Sequence, residues 1–401
     1  GEIMRERCGD LPEQECQVRV EEARRLVLAA NISPERVFPD AAAEDWLDCG
    51  QCRDCFKPSF GYRPGNSVQY GLALSNFEER DGQGRPLRFR YGFLSSSDNH
   101  SARPGTGYKQ VDRHGMTDTV GSGSRLVGGL VEGDRSADNP QRPQPVPSVL
   151  GGGPGPERIA SFWYPGGLVA LHSEGRRQDA IFDALRRREV YATSGPRILL
   201  WFDLVNDPGA PQPMGSELSL AENPRFEVRA VGAFEQKPGC PESAHRGLSP
   251  ERLDRLCRGH CYNPGDDPHP IVAIEVVRIR PQSRPGELVD DLIEDPWRRF
   301  ECEPDPAGCV VRFEDEEFGG AGRDALYYVR ALQEPTPAIN GAPMSTEFDA
   351  EGRAVSVSIC SGSYRTPEDD DCLAPVSERA WSSPIYLDFS SSEVGMGSGG
   401  R

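Results

Sequence analysis

The segment "PRILLWFDLV" (residues 196–205) opens a part of the chain in which aliphatic, aromatic and β-branched residues dominate short runs. Similar runs, separated by Gly/Pro turns, follow at "RFEVRAVGAF" (225–234), "PIVAIEVVRIR" (270–280), "GCVVRFEDEEF" (308–318), "ALYYVRALQ" (325–333) and "PIYLDF" (384–389). Runs of this length and composition predict β-strands. We therefore predict an all-β, sandwich-like domain over residues 201–392, followed by a flexible tail at 393–401, with the domain boundary near residue 200.

The residues before 200 have a different pattern, in which helical and strand-like segments alternate. Helices are predicted in "ECQVRVEEARRLVLAAN" (15–31), "SVQYGLALSNFEE" (67–79) and "RRQDAIFDALRRREV" (176–190), and strands in "LRFRYGFLSSSD" (87–98) and "GGLVALHSE" (166–174). In the last helix, Ala180, Ile181, Ala184 and Leu185 are expected to face inward. Helices alternating with strands that end in polar residues are typical of an α/β barrel or layered sheet. The Pro/Gly-rich stretch 132–157 is predicted to be a surface loop.

Charge and composition restrict the partners of the chain. The net charge of −18 over 401 residues argues against nucleic acid, which needs clustered Lys and Arg. No run approaches the roughly 20 apolar residues that span a bilayer, so no membrane span is predicted. The 12 cysteines indicate an oxidising compartment, periplasmic or extracellular. Five precede residue 60 and seven follow residue 239, so a bridge joins the two groups or each keeps an unpaired or metal-bound thiol.

Asp98 and His100 are the first candidate metal ligands. An Asp-x-His pair at the end of a strand offers a carboxylate oxygen and an imidazole nitrogen to one ion. An ordinary loop with a hydrogen-bonded histidine is the alternative interpretation. Arg103, Lys109 and His114 follow on the same loop, where they would contact an anionic substrate, donate a proton, or simply be solvated.

His172, Glu174 and Ser194 are further polar candidates. His172 and Glu174 follow a predicted strand and would face the mouth of a barrel, as substrate-binding residues. Ser194 lies in "YATSGPRI", which we interpret as a turn, because the sequence shows no base beside this hydroxyl.

The cysteine spacings leave two interpretations open. Cys49, Cys52 and Cys55 have the spacing of a zinc or iron–sulfur site, which Cys8 or Cys16 would complete, or they form disulfides in an exported protein. The same choice applies to "CRGHCYNPGDDPH" (257–269), and the stretch 302–309 is a candidate small disulfide loop. The acidic runs at 314–317 and 368–371 are interpreted as solvated turns.

Several segments together resemble a bacterial domain-of-unknown-function family related to the PHP (polymerase and histidinol phosphatase) metallohydrolases. They are "SSSDNHSARPGTGYKQ", "PGGLVALHSE", "IFDALRRREVYATSGPRI", "ALYYVRALQEPTP" and "AWSSPIYLDF", in order over about residues 65–390. The resemblance implies the C-terminal part of a distorted (β/α) barrel over residues 1–200, with two or three divalent ions of manganese, iron or zinc. It assigns Asp98 and His100 as metal ligands and catalytic residues.

The resemblance has a gap at its beginning. PHP proteins start with a His-x-His strand, whereas residues 1–64 contain no histidine. We therefore expect the rest of the site from a longer precursor, an N-terminal fragment or a second chain. The predicted function is metal-dependent hydrolysis of small anionic, phosphoester-type substrates. The alternative is a non-catalytic exported binding or structural module that retains the fold without a complete metal site.

Overall fold

The computed structural model describes residues 5, 8–9, 11–29, 36–37, 67–82, 84–96, 144–145, 167–207, 209–338, 344–348, 350, 354–359 and 373–390. Of these, residues 22–29, 36–37, 144–145, 344–348, 354–359 and 374 are described by their backbone alone.

The helices of the described residues are short apart from the first. They are α1 (Glu13–Ala29), α2 (Val68–Ala73), α3 (Gln178–Arg186), α4 (Glu242–Gly247), α5 (Pro250–Cys257) and α6 (Phe318–Ala321), with a 3-10 turn at Asp290–Leu292. The side-chain hydroxyl of Ser67 accepts a hydrogen bond from the Tyr70 backbone and caps α2, and Ser249 caps α5 in the same way through Arg252.

Strands make up most of the regular structure in the described part of the chain. They are β1 (Arg36–Val37), β2 (Asn76–Arg80), β3 (Pro86–Leu87), β4 (Gln144–Pro145), β5 (Leu168–Leu171), β6 (Val190–Thr193), β7 (Leu199–Leu204), β8 (Gln212–Pro213), β9 (Glu217–Leu220), β10 (Arg225–Val231), β11 (Phe234–Gln236), β12 (Pro264–Pro268), β13 (Ile271–Ile279), β14 (Ile293–Glu301), β15 (Cys309–Glu314), β16 (Ala325–Ala338), β17 (Met344–Phe348), β18 (Ala354–Ile359), β19 (Ala374–Ser382) and β20 (Ile385–Phe389).

Two sheets dominate the arrangement. The larger has eight strands in the order β14-β13-β16-β19-β6-β5, and β20 pairs with β16 and with β9 beside this path. The smaller has four strands in the order β15-β10-β7-β8. The larger sheet joins segments from both sides of the boundary predicted near residue 200, because β6 pairs with β19.

The long strand β16 shows how the sheets share their cores. Successive side chains of a strand point to opposite faces. Accordingly, Tyr327 and Val329 lie in a core formed with the four-stranded sheet, whereas Leu326 and Tyr328 lie in a second core. The second core also contains Leu72 of α2. A strand that is covered on both faces is apolar along most of its length, and this explains the run "ALYYV".

Ion pairs are buried within the larger sheet. The guanidinium of Arg330 on β16 pairs with Glu275 on β13 and Asp295 on β14, and all three side chains are buried. Arg278 on β13 pairs with Glu294 and the buried Asp315. Desolvated arginine is stable here because each guanidinium has carboxylate partners.

The prediction of a PHP-like (β/α) barrel is wrong. A barrel of this kind needs parallel strands joined by helices. In the structure, β5 and β6 flank α3 but are antiparallel neighbours, with Leu168 opposite Thr193. Among the described residues the larger sheet is open, its strand order ends at β14 and β5, and its ladders are antiparallel apart from β9 with β20.

Several local predictions are corrected as well. The helix predicted over residues 67–79 ends at Ala73 and is followed by β2. The segment 88–96 is not part of a ladder, although a strand was predicted there. On α3, Ala184 is fully buried as expected. Leu185 was expected to face inward as well, but it lies on the solvent side of the helix and is exposed. The strand runs predicted after residue 196 are confirmed as β7, β10, β13, β15, β16 and β20.

Candidate functional site

A junction at one end of the larger sheet is formed by Ser95, Ser96 and Gly167. The chain leaves this end after Ser96 and returns at Gly167, whose backbone N–H donates to the Ser96 carbonyl at 3.0 Å. The Ser95 hydroxyl lies 2.7 Å from the carbonyl oxygens of both Leu168 and Thr193. A side chain at position 167 would be 2.5 Å from Ser95 Oγ and from the Thr193 carbonyl, so only glycine fits between them. Ser96 and Gly167, the described residues on either side of segment 97–166, are therefore held together at the ends of β5 and β6.

Ser194 and Glu378 form a buried pair beside this junction. Ser194 follows β6 directly, and its hydroxyl donates to Glu378 Oε2. The Ser194 backbone N–H donates to the Arg379 carbonyl at 2.9 Å, and the Arg379 N–H donates to Ser194 Oγ at 2.9 Å. These backbone contacts fix Ser194 against β19, so that its hydroxyl has a defined direction.

Burial raises the pKa of Glu378 to about 7, although the Ser194 hydrogen bond and the positive charge of Arg379 act in the opposite direction. Desolvation disfavours the charged form of a carboxyl group, and this effect prevails here. A carboxyl group with such a pKa exchanges its proton near neutral pH, which is the property of a general acid or base.

Glu378 also lines a small cleft that is partly open to solvent. The other polar or aromatic groups that line the cleft include Arg197, Phe234, Tyr262, His269 and Gln333. The Arg197 guanidinium lies over the Tyr262 ring, 3.7 Å from its centre. In this stacked position the N–H groups at the edge of the guanidinium do not point into the ring and can donate to other groups. His269 Nδ1 lies 3.1 Å from Glu334 Oε1. The cleft thus combines a cationic group with a carboxyl group of raised pKa.

Most candidate site residues from the sequence lie outside the described residues. These are Asp98, His100, Arg103, Lys109, His114, Cys49, Cys52 and Cys55. Their assignments stay predictions. The Pro/Gly-rich stretch 132–157 is likewise described only at Gln144–Pro145.

His172 and Glu174 lie at the other end of β5, away from the junction. His172 Nε2 donates to the Leu200 carbonyl at 2.8 Å, and its ring lies between those of Tyr191 and Trp201, with centroids 5.6 and 5.7 Å away. Glu174 is exposed. The structure does not bring these two residues to Glu378, and it gives His172 a packed position.

The sequence does not indicate Glu378 as a partner of Ser194. Residues 194–196 form a bend, as the interpretation of this stretch as a turn predicts. The Glu378 carboxylate accepts the hydrogen bond of the Ser194 hydroxyl across 184 positions of sequence. The stretch "PVSERAWSS" around Glu378 contains no motif that indicates a role. Only the pairing of β19 with β6 brings the two side chains together.

Disulfides account for most cysteines in the described part of the chain. Bridges join Cys8 to Cys16, Cys240 to Cys261 and Cys302 to Cys309. The small loop predicted over 302–309 is confirmed. Because Cys8 and Cys16 are bridged to each other, neither thiol is free to complete a four-cysteine metal site. The choice between a metal site and disulfides for Cys49, Cys52 and Cys55 stays open, since they lie outside the described residues.

Among the described residues, the groups of three or more His, Cys, Asp or Glu side chains whose ligand atoms lie close together are confined to one cluster, Cys240, Cys257 and Cys261. The bridge between Cys240 and Cys261 leaves only the Cys257 thiol of this cluster free. The carboxylates and imidazoles that are described do not gather into a group of three. In the same residues, no helix is both long and apolar enough to cross a membrane. The disulfides are compatible with an extracellular protein.

Comparison with known proteins links the junction to a protein family. A family model described as "Protein of unknown function (DUF3604)" matches residues 68–203. This range contains Ser95, Ser96, Gly167 and Ser194, and it also contains Asp98 and His100. The prediction of a domain-of-unknown-function family is confirmed over this range.

An uncharacterized protein of Chlamydia pneumoniae is 38% identical to the chain over 65 residues, which are 16% of this chain and 10% of the relative. The chain therefore covers about a tenth of that protein's length. No solved structure matches the chain.

Proposed function

We propose that this chain contributes to a metal-dependent hydrolase for phosphoester-type substrates, in which Asp98 and His100 hold divalent ions of manganese, iron or zinc. The proposal includes the relation to PHP metallohydrolases that the sequence motifs indicate. It does not include their closed barrel. An N-terminal fragment or a second chain that supplies further ligands is part of the same proposal.

The observation that carries the proposal is the position of the junction beside the Ser194–Glu378 pair. The segment with Asp98 and His100 begins directly after Ser96, which lies next to Gly167. Asp98 is two residues beyond Ser96, so chain geometry keeps their Cα atoms within about 7 Å of each other. The segment that would supply these metal ligands therefore leaves the sheet at the end where Glu378 lies.

The cleft supplies groups that suit an anionic substrate. Arg197 carries a delocalised positive charge that can form paired hydrogen bonds with phosphate oxygens. Glu378 would accept a proton from an attacking water or return one to the leaving group, because its pKa of about 7 permits both states near neutral pH. When bound, divalent ions would supply an activated water and polarise the substrate oxygen.

The described residues do not by themselves fit the proposed ions. Hard divalent ions need several oxygen or nitrogen donors, and the described carboxylates and imidazoles do not form such a group. The ligands would have to come from Asp98, His100 and residues outside the described ranges. We assign no reaction step to the metal for this reason.

A second candidate function is a non-catalytic exported binding or structural module. The observation that favours it is the same lack of gathered oxygen and nitrogen donors among the described residues, together with the disulfides. Such a module would use the cleft around Arg197 and Glu378 to bind a small anion without converting it.

Elemental analysis of the natively purified protein, combined with intact mass measurement of every polypeptide in it, distinguishes the two functions. The hydrolase predicts about two or three equivalents of manganese, iron or zinc and metal-dependent hydrolysis of bis(p-nitrophenyl) phosphate. Asp98→Ala should lose the metal and the hydrolysis while the chain stays folded, as circular dichroism would show. Asp266→Ala is the matched control, because the Asp266 side chain is 98% exposed on β12.

Glu378→Gln separates the chemical role of the cleft from metal retention. The variant should keep the metal. Its rate of hydrolysis, measured as a function of pH, should no longer show the ionisation of a group with a pKa near 7. Metal-free wild type that does not hydrolyse the phosphodiester after addition of manganese, iron or zinc would refute the hydrolase and leave the binding module.

A further inference from the structure

Cys240, Cys257 and Cys261 form a cluster of three sulfur atoms on a disulfide-tied loop. Cys240 and Cys261 are bridged. Cys257 is a free thiol, and its Sγ lies 3.0 Å from Cys261 Sγ and 3.7 Å from Cys240 Sγ. All three residues are half-buried. A free thiol in van der Waals contact with both sulfurs of a bridge is placed where exchange between thiol and disulfide begins.

We propose that this cluster is a thiol–disulfide exchange site in which Cys257 attacks Cys261 and releases Cys240. The proposal does not rest on the hydrolase proposal, since the exchange step involves neither Asp98 nor Glu378. It assigns the cluster two interconverting disulfide isomers, Cys240–Cys261 and Cys257–Cys261, and one thiol that is available to external disulfides in either isomer.

The exchange step balances without an added oxidant. The Cys257 thiol, which donates to the Leu253 carbonyl at 3.2 Å, first gives up its proton to solvent. The resulting thiolate forms a bond to Cys261 Sγ, and the Cys240–Cys261 bond breaks. Cys240 leaves as a thiolate and takes up a proton. One disulfide and one thiol are present before and after the step.

The local backbone brings the attacking thiol to the bridge. Cys257 is the last residue of α5, and the chain reverses through Arg258 and Gly259, which both have positive φ values of 48° and 72°. The Cys261 backbone N–H then donates to the Gly239 carbonyl at 3.1 Å, which places residue 261 against residue 240. The distances to the two bridge sulfurs differ by less than 1 Å. The thiol therefore lies beside the bond, and a rotation of the Cys257 side chain has to precede an in-line attack.

The exchange would affect the cleft through Tyr262. Tyr262 follows Cys261 directly and stacks against Arg197, and both line the cleft. In one isomer residue 261 is tied to the segment before α4, and in the other it is tied to the end of α5. The position of Tyr262 is therefore expected to differ between the isomers.

The sequence makes a direct test possible, because trypsin separates the three cysteines. Cleavage after Arg and Lys, except before Pro, yields peptides 230–246, 256–258 and 259–278, with one cysteine in each. Wild-type protein is incubated with excess N-ethylmaleimide at pH 8, so that every free thiol is blocked, and is then digested with trypsin. If exchange occurs, some molecules carry the label on peptide 256–258 and a disulfide between 230–246 and 259–278. Other molecules carry the label on 230–246 and a disulfide between 256–258 and 259–278. Label confined to 256–258 throughout the incubation would refute exchange.

Two variants make the outcome independent of the labelling rate. Cys240→Ser, purified under the same oxidising conditions, should contain a disulfide between peptides 256–258 and 259–278. Cys257→Ser is the matched control, and it should keep the bridge between 230–246 and 259–278 and show no label on either. Two free thiols in Cys240→Ser would overturn the proposal. Wild-type protein whose three cysteines all become labelled, but only after a chelator has removed bound zinc, would also overturn it, because the cluster would then be a metal site and not a disulfide with a free thiol. Circular dichroism of each variant confirms that the sheet is retained.

Discussion

The hydroxyl of Ser194 donates to the carboxylate of Glu378, and this links the residue after β6 to the middle of β19 inside the protein. Both side chains are almost fully buried, at 5% and 3% exposure. Because one hydroxyl cannot replace the water around a carboxylate, the pKa of Glu378 remains raised to about 7. The pair therefore makes stability depend on pH in a defined direction.

Glu378→Gln is predicted to remove this pH dependence. The folded protein holds the Glu378 proton more tightly than the unfolded chain, whose carboxyl has the ordinary value of 4.5. The stabilisation from the protonated carboxyl is thus fully present below pH 4.5 and is lost as pH rises to about 7. The free energy of unfolding of wild type, relative to Glu378→Gln, should fall by about 3 kcal/mol over this interval. Urea unfolding at several pH values measures it.

Glu242→Gln is the control for this series, since its side chain is 92% exposed on α4. Its stability difference from wild type should be flat over the same pH range. A Glu378→Gln difference that is equally flat would contradict the raised pKa.

The sequence predicts six of the strands after residue 196 but misses others, among them β6, β14 and β19, and it does not show which strands pair. The pair β6 and β19 shows why. Residues 190–193 and 374–382 are ordinary strand or turn segments locally, and their pairing depends on contacts almost 190 positions apart. The same limit explains the incorrect barrel. A strand, a helix and a strand over residues 168–193 are locally compatible with parallel or antiparallel pairing, and the side-chain pattern does not distinguish the two. Glu378 could not be found from sequence, because its burial results from this pairing.

Gly167→Ala is predicted to disturb the junction at which segment 97–166 returns to the sheet. The added Cβ would lie 2.5 Å from Ser95 Oγ and from the Thr193 carbonyl oxygen, and the second of these cannot move without shifting β6. Overpacking of this kind costs about 1–3 kcal/mol. Gly175→Ala, at the other end of β5, has no atom within 4 Å of the added Cβ. Thermal unfolding of both variants should show a lower midpoint only for Gly167→Ala, and equal midpoints would argue against the described junction.

Arg330→Met is predicted to destabilise the larger sheet strongly. The substitution removes the guanidinium that pairs with both Glu275 and Asp295, whose side chains are only 3% and 0% exposed. Glu275 keeps its second pair with Arg299, and Asp295 keeps a hydrogen bond from Gln69. Removal of one partner from a buried ion pair costs about 3–5 kcal/mol, because the remaining charge is not solvated. Denaturant unfolding provides the value. Arg177→Ala serves as the control, since Arg177 and its partner Asp179 are 83% and 61% exposed, and the unfolding midpoint should not change.

Adding Glu275→Gln and Asp295→Asn to Arg330→Met tests the cause of that loss. If uncompensated charge is responsible, the triple variant should be more stable than Arg330→Met alone. A triple variant that is less stable by the sum of the separate effects would instead indicate that packing of the arginine side chain dominates.

The Cys302–Cys309 bridge is predicted to stabilise the edge of the four-stranded sheet. It closes a loop between β14 and β15 over a sequence separation of 7, and Cys309 is buried in the core that the two sheets share. Cross-linking of so short a loop restricts the unfolded chain by roughly 2–3 kcal/mol. The double variant Cys302→Ala/Cys309→Ala should lose that amount in urea unfolding under non-reducing conditions. Val310→Ala, an exposed position next to Cys309, should lose far less. If the double variant unfolds at the wild-type urea concentration, the bridge does not constrain the unfolded chain as proposed.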